Sequence, residues 1–539
     1  MPKNPVEARS TTTMSDTPHT VAVQENVAVA ERPHGVAARL MRNSAMSAAR
    51  LVVTALVALF LPAYLTHKLP ITTYSAWVLV LQMSAYVAYL DFGVQSGVSK
   101  YVAEYEAKGD AAGANMRASA GLAIMLSTSI LGVLLTLILA WRVPQIFHDM
   151  PAFLYRDVRI SLVLVGASLS FGLFCSVFSA IFLGLQRYAV PMTISIVNRI
   201  LFALVVCIAV LFNHSLAIMG AAVAIVNIST GVLQIVAWRR LARRIRISLR
   251  GLDYDVLKKM LAYCSVLAIW SGAMLCITGL DVTIVGRYDF NQTGFYSIAT
   301  LPTNFIISIL GAALGPFLPT VSALSTQRTP GEMGDLLSRS TRYSSILLLA
   351  CGLPLVVGAY PILRLWVGSD YALHTIGYLR ILMLANILRC FCAPYATMVV
   401  ATSRQRVATA SAITEGLVNL ISSILFASRL GARGVALGTL LGSFASVAMH
   451  FGVSMHYTQE NFAISRLRLF WNGLLRPITI AIPSVLLVPF WWVSGAPVLS
   501  TWLWILWGVS TLLLMWFVCI TANERRMLID RIRAPLRRR

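Results

Sequence analysis

Apolar runs of about twenty residues recur fourteen times along this chain, and no other feature restricts its fold so tightly. At 1.5 Å per residue, a helix of about twenty residues crosses a hydrocarbon layer of about 30 Å. Inside that layer every backbone N–H and C=O must be satisfied within the segment, so helices are the expected form. The runs fall at roughly 44–66, 71–93, 116–141, 160–184, 188–212, 215–238, 260–286, 295–321, 343–366, 374–401, 407–428, 433–456, 470–493 and 498–520. Only 12% of the 539 residues are charged and 58% are hydrophobic, against about 25% charged in a soluble domain. An all-α polytopic membrane protein of about fourteen spans is therefore expected.

The basic residues set its orientation. Of the 44 Lys and Arg, thirty-one lie in the segments that share a side with the N-terminus. The other side holds only Lys68, Arg142, Arg156, Arg159, Arg287, Arg364, Arg429 and Arg433. Lys and Arg accumulate in cytoplasmic loops, so both termini are expected in the cytoplasm. Trp141, Trp238, Trp366 and Trp471 near span ends fit an interfacial belt. A net charge of +23 raises nucleic acid as a partner, but no soluble domain or aromatic-interleaved basic patch exists to bind it. The eight cysteines all fall in apolar segments without a CxxC, and the eight histidines show no ligand spacing. Neither a metal site nor a disulfide framework is expected.

These patterns divide the chain. Residues 1–40, polar and aperiodic, are expected to be a disordered cytoplasmic tail without a cleavable leader, the first span acting as an uncleaved signal anchor. A six-span lobe at 41–238 is followed by a basic linker at 239–259, a second six-span lobe at 260–456, a two-helix hairpin at 457–520 and a basic cytoplasmic tail at 521–539. Six arginines lie between Arg239 and Arg250; the plain reading is an orientation signal and linker, the other an attraction for anionic lipid headgroups. A weak internal echo relates the lobes: shifted by 222 residues, Tyr74-Ser75 falls on Tyr296-Ser297 and Gly93 on Gly315. A parallel duplication with a pseudo-twofold axis would give that pattern.

Between the second and third spans the rule changes. Val98, Tyr101, Val102 and Tyr105 form one apolar stripe at helical spacing, with Lys100, Glu104 and Lys108 on another face. This predicts a short amphipathic helix along the inner membrane surface, ended by Gly109, with a counterpart near 322–342. Each is expected to link lobe movement to an inner gate.

The stretch LDFGVQSGVSKYVAEYEAKGD, preceded by Tyr74-Ser75-Ala76-Trp77, resembles the second span and following loop of bacterial polysaccharide flippases. FLGLQRYAVPM (182–192) and GLDVTIVGRYDFNQTGFYSIATLPTNF (279–305) extend the likeness over roughly residues 40–460. These proteins, O-antigen flippases among them, belong to the multidrug/oligosaccharidyl-lipid/polysaccharide exporter superfamily. The resemblance implies two six-helix lobes in a V around a central cavity, with spans thirteen and fourteen appended as a hairpin. It implies movement of undecaprenyl-diphosphate-linked oligosaccharide from the cytoplasmic to the periplasmic leaflet of the bacterial inner membrane, for O-antigen, capsule or exopolysaccharide synthesis. A polysaccharide polymerase and chain-length machinery would be partners, besides membrane lipids. The arginine-rich motif expected of a lipid II flippase is missing.

Such a task breaks no bond. It needs a wet polar route with cationic anchors, opening alternately to each side. Charges inside spans cost about 2.5–3.5 kcal/mol or more unless paired or hydrated, so they mark the candidates. Arg199 and Arg389 lie nearest mid-depth, and a guanidinium grips a phosphate through two parallel bonds. Arg389 has a plain alternative as the partner of Glu415. Arg50 near the inner end of span one is a second candidate anchor, and Asn198 adjoins Arg199; Arg380 is expected to snorkel. Asp91 at the inner end of span two reads as a gate or helix cap. Asp281 in span seven is the candidate site for a coupling H+ or Na+, with Arg287 as an awkwardly spaced alternative partner. No catalytic residue, metal or resident cofactor is expected. Two other readings stand: a cation-coupled multidrug exporter of the same superfamily, and a membrane polysaccharide polymerase. The loop HDMPAFLYRD offers the polymerase little acid/base geometry.

Overall fold

The structure, a computed structural model, describes residues 33–212, 215–249, 252–315, 317–325, 327–486, 501–522, 524–527 and 529–530. The expected disordered tail up to residue 32 and the basic tail from 531 lie outside the described residues. The chain separates into Met1–Ala45, described only as helix from residue 33, and Met46–Arg539, to which all that follows refers.

Thirteen described helices are long and apolar enough to span a membrane, and a shorter apolar one, Ile505–Cys519, follows them. Fourteen were expected. Residues 487–500, between the arms of the hairpin, lie outside the described residues. The first lobe runs α1 (Pro33–Lys68), α2 (Ile71–Tyr89), α3 (Val94–Ala107), α4 (Ala111–Ile146), α5 (Tyr155–Gly184), α6 (Ala189–Phe212) and α7 (Leu216–Leu241). The second runs α8 (Tyr254–Met274), a π-helical turn at Leu275–Gly279, α9 (Asp281–Tyr288), α10 (Thr293–Leu314), α11 (Phe317–Leu324) and α12 (Pro330–Val357). It continues with α13 (Ala359–Val367), α14 (Ser369–Cys390), α15 (Ala393–Ala401), α16 (Gln405–Leu430) and α17 (Ala432–Met449). Arg466–Leu486 and Thr501–Cys519 form the hairpin arms, packed on α12.

The two lobes repeat one packing scheme. In the first, α2 and α4 flank α5, α5 packs on α7, and α7 on α6. In the second, α10 and α12 flank α14, α14 packs on α17, and α17 on α16. Span for span these are the same contacts, which supports the duplication far better than three sequence identities. One identity is only formal: Gly93 has a left-handed backbone at φ 75°, whereas Gly315 is right-handed helical at φ −53°.

The joint between α2 and α3 explains the change of pattern there. Phe92 (φ 46°) and Gly93 turn the chain, and Asp91 Oδ1 accepts from Gln95 N at 3.3 Å, so the aspartate caps the incoming helix. Helix α3 ends at left-handed Gly109, and Asp110 caps α4 by accepting from Gly113 N at 2.8 Å. Along its stripe Val98 and Val102 are buried and Tyr101 and Tyr105 half-buried, and the helix packs against α4, α5 and α8. The counterpart is shorter than expected: α11 has eight residues, and 330–342 already belong to the ninth span, begun by a Thr329–Glu332 capping box.

Three cores decide how the lobes meet. Toward the face opposite the basic loops, one core holds residues of both lobes, among them Tyr74, Trp77, Phe147, Tyr296, Phe295 and Tyr371. Toward the basic face the lobes have separate cores, one around Val98, Val102 and Phe182, the other around Leu337, Met398 and Phe462. Helix α8 is the crossing element. Val256, Met260 and Cys264 lie in the first lobe's core, while Ala273 and Ile277 pack on Ala412 of α16. The start of α8 therefore packs with the first lobe and its end with the second. The lobes are sealed at one face and part toward the other.

Candidate functional site

The seal is polar as well as apolar. Gly294 N donates to Ser75 Oγ at 3.0 Å, Gln82 Nε2 to the Gly279 carbonyl at 2.6 Å, and the Tyr86 and Thr283 hydroxyls bond each other. Tyr74 meets Tyr371 edge-on, with ring centroids 6.2 Å apart. Arg287 does not reach Asp281. It donates to the carbonyls of Gln145 and Ile146, tying α9 to the first lobe.

Asp281 opens α9 directly after the π-helical turn, a feature that frees backbone carbonyls from the regular ladder. Asn419 of α16 takes up two of them, donating to Ile277 O at 2.7 Å and Cys276 O at 3.3 Å. Ser423 donates to Asn419 Oδ1 at 3.0 Å and to Val435 O at 3.3 Å. Thr439 of α17 donates to Asp281 Oδ2 at 3.3 Å. Asp281, Asn419, Ser423 and Thr439 are all buried, so the carboxylate sits in a nest of oxygen atoms inside the second lobe. Small residues permit this. A Cβ on Gly438 would stand 2.6 Å from the Ser423 backbone, one on Gly442 2.8 Å from Asn419 Cβ, and one on Gly434 2.3 Å from the Phe426 backbone, so these glycines let α16 and α17 approach closely.

Arg389 donates to Asn386 Oδ1 at 2.5 Å and lies 3.7 Å from Glu415 Oε1. The pairing weighed from sequence is present. Both side chains line a cavity of about 690 Å³ in the second lobe, with Trp270, Thr278, Asn304 and His450 on its wall. His450 had no signal in sequence beyond being a lone histidine in an apolar run. It starts a second π-helical turn, His450–Ser454, and its Nδ1 lies 3.3 Å from Ser411 Oγ.

Arg50 and Arg199 form a different arrangement. Both are exposed and close enough for their charges to repel, and neither has an acidic partner among the described residues. Asn198 turns away, donating to Thr230 of α7 at 2.9 Å. Beyond the arginines, away from the basic face, α1 and α6 enclose an apolar crevice of about 610 Å³ between Leu56, Phe60, Ala203 and Cys207, with Tyr64 and His67 farther along. Arg380 donates to Val356 O at 3.2 Å. Among the described residues no cluster of three or more His, Cys, Asp or Glu is arranged to hold a metal ion.

No protein-family model matches the chain, and no curated protein matches its sequence. Solved structures do match its fold. A lipid II flippase, MurJ, in an inward closed conformation aligns over 88% of this chain and 97% of its own, at TM-score 0.63 and 12% identity. An inward-facing multidrug resistance MATE family transporter of the MOP superfamily aligns over 76% of this chain and 94% of its own, at TM-score 0.62 and 15% identity. A MATE protein in a straight conformation gives TM-score 0.53 at 17% identity, over 78% and 96%. The chain has the two-lobe fold of these transporters.

Proposed function

We propose that this protein moves a lipid-linked oligosaccharide, its sugar joined to an isoprenoid by diphosphate, from the cytoplasmic to the periplasmic leaflet of the bacterial inner membrane. One observation carries the reading: two exposed arginines without acidic partners stand at the foot of an apolar crevice. That combination suits an amphiphile whose anion is followed directly by a hydrocarbon chain. A cationic drug would meet repulsion there, which weighs against a multidrug exporter. The likeness in fold to a lipid II flippase favours the same class of substrate.

In this reading the basic face is cytoplasmic and the lobes part toward the substrate's source. Arg50 and Arg199 hold the diphosphate, each guanidinium able to grip two oxygens. The sugars extend toward the cavity of the second lobe, where Arg389 is neutralised by Glu415 and supplies hydrogen bonds more than net charge. Asp281 binds the coupling cation, H+ or Na+, among Thr439, Asn419 and the carbonyls near the π-helical turn. Its place at the start of α9, the helix that carries the seal at Thr283 and Arg287, makes cation binding a means of opening the far face. Helix α3, packed on α8, transmits lobe movement to the basic face. Surface polysaccharide synthesis is the proposed pathway, with a polymerase and chain-length machinery downstream.

The test is genetic and biochemical. Deleting the gene should leave undecaprenyl-linked oligosaccharide on the cytoplasmic leaflet and remove surface polysaccharide; Arg199→Ala and Arg389→Ala variants should fail to restore it. Normal surface polysaccharide in the deletion strain, with no redundant transporter, would end the proposal.

A further inference from the structure

The last turn of α7 and the linker after it form a docked strap, with buried apolar residues set among exposed arginines. Ala242 and Ile245 are buried in the first lobe's core, while Arg239, Arg240, Arg243, Arg244 and Arg246 are exposed. Hydrogen bonds fix the strap. Trp238 Nε1 donates to Ile245 O at 3.1 Å and Ile245 N to Ala242 O at 3.1 Å. Arg246 N donates to Asn115 Oδ1 at 2.8 Å, Ser248 N to Ser119 Oγ at 3.0 Å, and Arg187 to Leu241 O at 2.6 Å. Side chains of α4 thus hold the backbone, and the guanidinium groups are left outward as a comb.

Of these five arginines, only Arg244 faces an acid, Glu106 at 3.6 Å, and that pair is open to solvent. The other four have no acidic partner among the described residues. Asp253 and Asp255 lie beyond the strap at the start of α8, where Asp253 caps the helix through Asp255 N. Exposed apolar side chains flank the comb: Leu241, Leu249, Leu252 and Tyr254, the last 74% exposed. A loop serving water alone has no use for them. Arginine beside leucine and tyrosine at the end of a span suits the boundary where headgroup phosphates meet the first methylenes of acyl chains.

We infer that the strap is a binding site for anionic phospholipid headgroups of the basic-face leaflet. The arginines take the phosphates, and Leu241, Leu249, Leu252 and Tyr254 enter the acyl layer beside them. A free phosphate engages only the first half of this surface, so the phospholipid is the occupant. Each basic residue near an anionic surface contributes about fivefold in affinity, and a backbone held in place loses little freedom when the lipid binds. The strap leads into α8, the helix shared by both lobes, so bound lipid also stiffens the junction about which the lobes part.

The test uses the purified full chain. Lipids retained by the detergent-solubilised protein are counted by native mass spectrometry with phosphatidylglycerol and phosphatidylcholine in competition, and thermal midpoints are measured in nanodiscs of each. Wild type should prefer phosphatidylglycerol at least tenfold and melt several degrees higher in it. A variant with Arg239, Arg240, Arg243 and Arg246 all changed to Gln should lose both effects. The double variant Arg243→Gln/Arg246→Gln, whose side chains make no bond among the described residues, should lose most of the preference and covers the case in which the larger variant does not fold. Unchanged preference in a folded variant overturns the inference. So does displacement of the lipid by millimolar inorganic phosphate, which would make the strap a site for soluble anions.

Discussion

Arg389 and Glu415 face each other at 3.7 Å across the wall of the second lobe's cavity, with side chains only 17% and 8% exposed. Removing one member of a buried pair strands the other, at a cost of about 3–5 kcal/mol. Arg389→Ala and Glu415→Ala should each lower the thermal midpoint in detergent. Arg389→Met with Glu415→Leu should recover most of that stability while leaving transport lost. Losses that simply add in the double variant would show that the two charges are not coupled.

Asp281 has a neutral donor in Thr439 and no cation within bonding distance among the described residues. Asp281→Asn keeps the size and the bond to Thr439 but removes the charge. In proteoliposomes this variant should still bind lipid-linked oligosaccharide and lose the dependence of transport on an imposed proton or sodium gradient. Thr439→Val should weaken that dependence partly, since one of several oxygens is lost. Gradient-driven transport at the wild-type rate by Asp281→Asn would remove the residue from coupling.

The difference between these two sites marks what was readable from sequence. Spans were legible because a run of apolar residues of bilayer length has few alternatives, and alternate loops carried the basic charge. Arg389 and Glu415 were legible because an ionised group within such a run demands a partner. Asn419, Ser423 and Thr439 were not. Neutral polar residues are common in membrane helices, and these gather around Asp281 because Gly434, Gly438 and Gly442 let α16 and α17 close together. The π-helical turns at Leu275–Gly279 and His450–Ser454 have no marker in composition. Nor did the apolar run of α8 reveal that its two halves belong to different cores, because both neighbours are equally apolar.

The sealed face can be locked. A Cβ on Gly294 would lie 3.0 Å from Ser75 Oγ, so Ser75→Cys with Gly294→Cys brings two thiols within bridging range. Oxidation should stop transport and a reductant restore it, with each single variant insensitive. The cross-linked protein should still accept an impermeant thiol reagent at Thr278→Cys from the basic face, since Thr278 is exposed on the cavity wall. Transport at the normal rate while cross-linked would mean that the seal does not open in the cycle.

Gly93 tests the parting at the other face. Its φ of 75° costs an L-residue about 1–2 kcal/mol, and a Cβ there would stand 2.3 Å from Leu267 Cδ1 and 2.6 Å from Leu267 Cβ. The first contact a rotamer change can relieve; the second requires α8 itself to move. Gly93→Ala should therefore shift α8 away from the turn between α2 and α3 and impair transport. Leu267→Gly alone creates space at the cost of about 1 kcal/mol for glycine in a helix. Combined with Gly93→Ala it should restore much of the transport while leaving the stability loss from the strained backbone. That opposite movement of rate and thermal midpoint is the informative outcome. If the double variant recovers neither, the harm of Gly93→Ala lies in the turn itself, and α8 is not positioned by this contact.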